Sequence, residues 1–149
     1  MRSFRIPALT MLLLAMAGAA VARNTIVNIT LQEVLDMPEA KSKLDGSVRY
    51  FLEGQPTPQV ISRFGVTVSN PKTNGANKGD RQACKWAALS ALVNFQAAAR
   101  EQGQGANAVV DMVSYYKKVV KSSATDIECH AGAIIVGVAL KGTFAKIAK

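Results

Sequence analysis

Apolar and polar residues alternate most clearly over residues 60–69. One face of this segment collects its large apolar side chains, Val60, Phe64, Val66 and Val68. A period of two residues is typical of a strand with one buried face, so we predict that these four side chains are buried. Other segments rich in apolar and β-branched residues predict strands at 47–53, 106–116 and 128–144. A Gly- and Pro-containing loop separates the first two strands, which favours a hairpin.

A helical period replaces this alternation between Asp80 and Gln102. Asp80 is suited to cap the helix at its start, and Gly103 is suited to end it. At 100° per residue, one face collects small and apolar side chains, and we expect that face to lie on a sheet. Its members are Cys84, Ala88, Ala91, Leu92, Phe95 and Ala99.

A second apolar stripe, formed by Trp86, Leu89 and Val93, lies roughly opposite the first face of this helix. An apolar stripe on a helix needs a cover. The sequence allows two possibilities for what covers this stripe. Either the N-terminal segment of the chain packs over the stripe, or the stripe binds a partner.

The predicted elements define an α+β fold. We expect one domain over residues 23–149, in which an antiparallel sheet of about four strands packs on one long helix. A short helix is also predicted from Pro38 to Leu44, because proline is favoured in the first helical turn.

The first 22 residues have the layout of a secretory signal peptide. Arg2 and Arg5 give a positive start, an apolar run follows, and small residues precede a cleavage site after Ala22. The apolar run is shorter than the roughly 20 residues of a membrane-spanning helix. We therefore expect an exported protein that does not span the membrane.

The charge balance of the chain is basic, with a formal net charge of +8. An exported basic protein meets anionic envelope surfaces before it meets nucleic acid. We therefore expect an envelope protein or an anionic envelope surface as partner, and no nucleic acid. Most lysines are scattered, which solubility alone would explain. In one local cluster, near a predicted hairpin tip, lysines adjoin aromatic residues. This cluster is a second candidate partner site and consists of Tyr115, Tyr116, Lys117 and Lys118.

Cys84 and Cys129 are the two cysteines of the chain. In an oxidising compartment an isolated pair is most simply a disulfide, and we predict that bond. Two alternatives use the single histidine. Cys129 and His130 could bind a soft metal ion, and Cys84 with His130 could form a nucleophile pair. Adjacent residues on a strand point to opposite faces, which argues against the metal site.

Enzymatic motifs are not evident in the sequence. The loop Gly75–Asp80 lacks the Gly-Lys-Ser/Thr ending of a nucleotide-binding loop, and paired carboxylates or a Ser-His-Asp set are not evident. Asp111 interrupts an apolar strand. It is either an ordinary carboxylate that faces solvent or an acid with a shifted pKa. We expect a protein that is not an enzyme and needs no cofactor.

Several motifs resemble short exported proteins of Gram-negative bacteria that are commonly labelled "excinuclease ATPase subunit". The resemblance covers nearly the whole mature chain and is carried by LDMP at Leu35–Pro38, KTN at Lys72–Asn74, ACKWA at Ala83–Ala87, VSYYK at Val113–Lys117 and ECHAGA at Glu128–Ala133. It implies a periplasmic location. The missing nucleotide-binding loop argues against the activity in that label.

The helix followed by GANAVV at Gly105–Val110 also resembles the folded domain of the Rcs envelope-stress sensor lipoprotein. A fainter resemblance links it to small heavy-metal-binding domains that share this unit. The Rcs resemblance implies an α+β domain braced by disulfides, with Cys129 at one such position and Cys84 as its partner. Ile135 stands where that domain has a further cysteine.

These observations lead us to expect a non-enzymatic binding or interaction module of the periplasm. The Rcs resemblance suggests a role in envelope stress. The alternative is a periplasmic metal-binding protein that uses Cys129 and His130.

Overall fold

The computed structural model describes residues 22–149, so the predicted signal peptide lies outside the described residues apart from Ala22. These residues form eight strands, three α-helices and one short 3-10 turn at Tyr116–Lys118. The strands are β1 (Thr25–Thr30), β2 (Arg49–Leu52), β3 (Val60–Ser69), β4 (Lys72–Asn74), β5 (Ala108–Ser114), β6 (Asp126–Ala131), β7 (Ile135–Val138) and β8 (Leu140–Ile147). The helices are α1 (Leu31–Leu35), α2 (Pro38–Lys43) and α3 (Asp80–Gln102).

The strands form two four-stranded sheets. Sheet A has the order β1-β6-β7-β4, and sheet B has the order β2-β5-β8-β3. Every pairing is antiparallel except that of β2 with β5, which is parallel. The α+β class and a four-stranded sheet packed on a long helix are therefore confirmed, and a second sheet accompanies the first.

The predicted hairpin between the strands at 47–53 and 60–69 is wrong. These two segments are β2 and β3, which lie at opposite edges of sheet B. β2 pairs with β5 and β3 pairs with β8, so contacts distant in sequence outweigh the short connection.

A long antiparallel ribbon links the two sheets. Its first half runs from β3 into β4, and its second half runs from β7 into β8. Both halves change sheet at the same level, where the Val138 N–H donates to the Pro71 carbonyl at 3.2 Å. The single strand predicted at 128–144 is therefore three strands. The short edge strand β4 was not predicted, because its residues lie in a segment rich in Asn, Pro and Gly.

The long helix is confirmed over Asp80–Gln102, and Gly103 ends it with φ of +62°. The N-cap is Gly79 rather than Asp80. Asp80 is instead the first helical residue, where its carboxylate faces the positive end of the helix dipole and pairs with Arg23.

The predicted inner face of α3 is buried and packs mainly against sheet A. Its alanines allow the helix to approach the sheet closely, and Phe95 and Leu92 fill the centre of the core. The segment α1–α2 lies along another side of α3. There the Gln96 side chain accepts from the Asp45 N–H and donates to the Lys43 carbonyl.

The predicted burial of Val66 and Val68 is wrong. Their exposed fractions are 63% and 51%. An irregularity in the pairing of β3 with β8 lies between Arg63 and Gly65 and reverses the faces that follow it. Ser69 turns inward instead and accepts a hydrogen bond from Asn94 on α3.

The close approach of β8 to β5 depends on Gly142. A Cβ at this position would lie 2.5 Å from Cγ1 of Val109 and 3.0 Å from Cγ of Met112, both in the buried core. We predict that Gly142→Ala lowers the free energy of unfolding by about 1–3 kcal/mol, because overpacking a filled core displaces its neighbours. Urea unfolding measures the loss. Gly65→Ala on β3 is the control, since nothing lies within 4 Å of its added Cβ. Equal stability of the two variants would contradict the prediction.

Candidate functional site

The disulfide between Cys84 and Cys129 is confirmed. It joins the first turns of α3 to β6 with a Cα–Cα distance of 5.8 Å. Both residues are fully buried. The bond therefore leaves the chain without a free thiol, and neither the nucleophile pair nor a metal thiolate exists in this oxidised state.

His130 lies next to Cys129 in the chain but on the other face of sheet A. Its Nε2 is 2.8 Å from Oε1 of Glu128, and its Nδ1 is 3.2 Å from Oδ1 of Asn24. The ring of Tyr116 stacks on it, with 3.5 Å between centroids and 15° between planes. Both ring nitrogens and one ring face of His130 are thus occupied by protein groups.

The part of the chain that the structure describes contains no set of side chains arranged to bind a metal ion. Within residues 22–149, no three His, Cys, Asp or Glu side chains come together as ligands. Every buried side-chain nitrogen or oxygen in the same range has a hydrogen-bond partner. The alternative based on Cys129 and His130 therefore has no supporting geometry.

The stripe of Trp86, Leu89 and Val93 is largely covered. Leu89 is only 1% exposed and belongs to the main core cluster, so it offers no surface to a partner. Trp86 and Val93 are half-buried and pack against the same cluster. α1 contacts α3, but both possible covers of the stripe remain predictions.

The second predicted site, at Tyr115–Lys118, forms a tight hairpin that we call the lysine hairpin, residues 114–121. Ser114 and Lys121 exchange two backbone hydrogen bonds, of 3.0 and 2.9 Å. The turn closes where the Val119 N–H donates to the Tyr116 carbonyl at 3.0 Å. The chain therefore reverses direction over Tyr116–Val119.

Two consecutive lysines occupy the left-handed region at this turn. Lys117 has φ of +50° and Lys118 has φ of +63°. Positive φ at both central residues is the geometry of a type I′ turn, for which Asn-Gly is the preferred pair. A residue with a Cβ costs roughly 1–2 kcal/mol in this conformation. Such strain at an exposed site motivates a functional hypothesis.

Two lysine ammonium groups near the hairpin lie over tyrosine rings. Nζ of Lys117 lies 5.5 Å from the ring centroid of Tyr116, and Nζ of Lys141 lies 5.0 Å from that of Tyr115. The stack of Tyr116 on His130 fixes the hairpin to sheet A. The aromatic residues thus hold two ammonium groups near the turn.

The lysine hairpin also exposes apolar surface. Val119 and Val120 follow the two lysines and are 56% and 52% exposed. On the other side of Lys121, a shallow hollow contains Asp126 and Glu128. Because Glu128 is hydrogen-bonded to His130, one of these two acids is already engaged.

Two acidic groups elsewhere, Glu33 and Tyr50, have shifted pKa values and structural partners. The pKa of Glu33 falls to about 2, mainly because Arg81 hydrogen-bonds its carboxylate and the Thr30 N–H donates to it. Burial raises the pKa of Tyr50, whose hydroxyl donates to the Leu92 carbonyl. Asp111 is exposed and pairs with Arg63 across sheet B.

Comparisons with known proteins leave the resemblances as predictions. No protein-family model, curated protein or solved structure matches the chain. None of the helices between residues 22 and 149 combines the length and apolar character needed to cross a bilayer.

The strain in the turn can be tested by replacing the two lysines. We predict that Lys117→Asn with Lys118→Gly raises the free energy of unfolding by about 1 kcal/mol, because this pair adopts positive φ at low cost. Urea unfolding at moderate salt measures the gain. The control is Lys117→Ala with Lys118→Ala, which removes the same two charges and keeps each Cβ. If the two double variants are equally stable, the turn is not strained.

Proposed function

We propose that the protein is a non-enzymatic interaction module of the periplasm whose lysine hairpin docks on the anionic lipid surface of the envelope. The observation that carries the proposal is the strained pair Lys117 and Lys118. A turn that served only to connect two segments would be more stable with Asn-Gly at these positions. The lysines therefore suggest a role for their charge.

The composition of the hairpin favours a lipid surface over a protein partner. The exposed residues Lys117, Lys118 and Lys121 flank two exposed valines in the sequence. Anionic headgroups attract lysines, while small apolar side chains can enter the interfacial region of a bilayer. Two valines expose little apolar area for a stable protein interface, which usually buries about 800 Å² on each side.

The disulfide supports the proposed compartment. Structural disulfides persist in oxidising environments such as the bacterial periplasm. The predicted leader, residues 1–22, agrees with export. A role in envelope stress, implied only by the resemblance to the Rcs sensor domain, remains a prediction.

Vesicle binding tests the proposal. The oxidised protein, residues 23–149, is sedimented with vesicles of phosphatidylethanolamine and phosphatidylglycerol, and with neutral vesicles of phosphatidylcholine. We expect binding to the anionic vesicles only, decreasing with salt. Lys117→Asn with Lys118→Gly should weaken it about thirty-fold, since each lysine near an anionic surface contributes about 1 kcal/mol.

A charge-matched control separates docking from general attraction. Lys146→Gln with Lys149→Gln removes two exposed positive charges at the other end of β8 and should bind almost as tightly as the parent protein. The Asn-Gly variant is expected to be more stable than the parent, so its weaker binding cannot be attributed to misfolding. Equal losses in the two double variants, or no binding to anionic vesicles, would overturn the proposal.

A further inference from the structure

An open cleft lies away from the lysine hairpin, between α2 and the free edge of β2. Its volume is about 400 Å³, within the range of small-molecule sites. Apolar side chains form most of its wall, and they include Leu35, Leu44, Val48 and Phe51.

The charged residues in the wall of this cleft are both basic. Lys41 comes from α2, and Arg49 comes from β2. The guanidinium carbon of Arg49 lies 5.1 Å from the ring centroid of Phe51. Within residues 22–149, no ion pair involves Lys41 or Arg49.

The acidic residue nearest to the cleft wall in the sequence already has partners within the protein. Asp45 precedes Gly46 in the cleft wall, but its carboxylate pairs with Arg100 and accepts from the Ser47 N–H. Within residues 22–149, neither cation at the cleft therefore has an ion-pair partner, and both are available to an anionic group.

A second hollow, of about 190 Å³, continues the cleft along α1. The two share Leu35 and Gln55 in their walls. Leu31 and Leu52 line this extension but are almost fully buried, and polar side chains such as Gln32 and Thr125 line it as well. The combined groove thus has both apolar and polar walls, and its two cations, Lys41 and Arg49, lie in the wall of the first hollow.

The free edge of β2 is poorly suited to an added peptide strand. The Leu52 N–H donates to the Gln55 side chain at 3.0 Å, and the Leu52 carbonyl accepts from the Gln55 N–H at 3.0 Å. The Arg49 N–H is bonded to Asn107 on the inner side. Strand addition needs free main-chain groups, and this short edge has few.

We propose that this groove binds a single-chain anionic amphiphile of the fatty carboxylate class. The carboxylate lies between Lys41 and Arg49, and the acyl chain follows Leu44 and Leu35 along the edge of β2. The site is separate from the lysine hairpin, and the proposal does not depend on the function assigned to that hairpin.

Titration of the isotope-labelled oxidised protein with decanoate, below its critical micelle concentration, tests the proposal. We expect saturable chemical-shift changes at the backbone amides of residues 41–55. Affinity should rise from octanoate to decanoate, because each added methylene buries apolar surface. 1-Decanol should bind at least about ten-fold more weakly, since it lacks the charge.

Matched variants locate the carboxylate. Lys41→Gln with Arg49→Gln should weaken decanoate binding about ten-fold and leave decanol binding unchanged. Lys43→Gln with Lys72→Gln removes the same charge outside the cleft and should have little effect. The proposal would be overturned if decanol and decanoate bound equally well, or if the two double variants lost equal affinity. It would also be overturned if the shifts were confined to the lysine hairpin, or if no saturable shift appeared.

Discussion

The attachment of α3 to sheet A is the constraint on which the rest of the structure depends. The Cys84–Cys129 bond joins residues 45 positions apart and lies in the core between helix and sheet. Closing a loop of this length removes entropy from the unfolded chain worth about 4 kcal/mol, a large share of the stability of a small domain. The fully buried Ala87, Ala88 and Ala91 complement the bond, because small side chains let α3 approach the strands closely.

This attachment leaves the outer face of sheet A free to carry the lysine hairpin. Cys129 points toward α3, and its neighbour His130 points outward, where it supports Tyr116. A rigid strand therefore positions the turn, and the turn holds Lys117 and Lys118 in a conformation that lysine rarely adopts. The stable scaffold and the strained turn are thus separate parts of the structure, joined where Tyr116 stacks on His130.

Sequence patterns predicted the parts of the fold that arise from local periodicity and composition. The helical period and Gly103 located α3, and an isolated pair of cysteines predicted the disulfide. The irregularity near Arg63 reversed the faces of β3, although both halves of that strand alternate regularly. The parallel pairing of β2 with β5 depends on contacts distant in sequence, which periodicity does not reveal. At the candidate site, the lysine cluster was visible, but its left-handed backbone was not, because Lys-Lys is not a typical sequence for such a turn.

The redox state of the two cysteines in the purified protein tests this account most directly. The protein is isolated without reductant, unfolded in urea so that burial cannot hide a thiol, and treated with a maleimide before its mass is measured. The account predicts that no label attaches and that the mass lies two hydrogens below that of the reduced chain. Attachment of two labels, at Cys84 and Cys129, would contradict it.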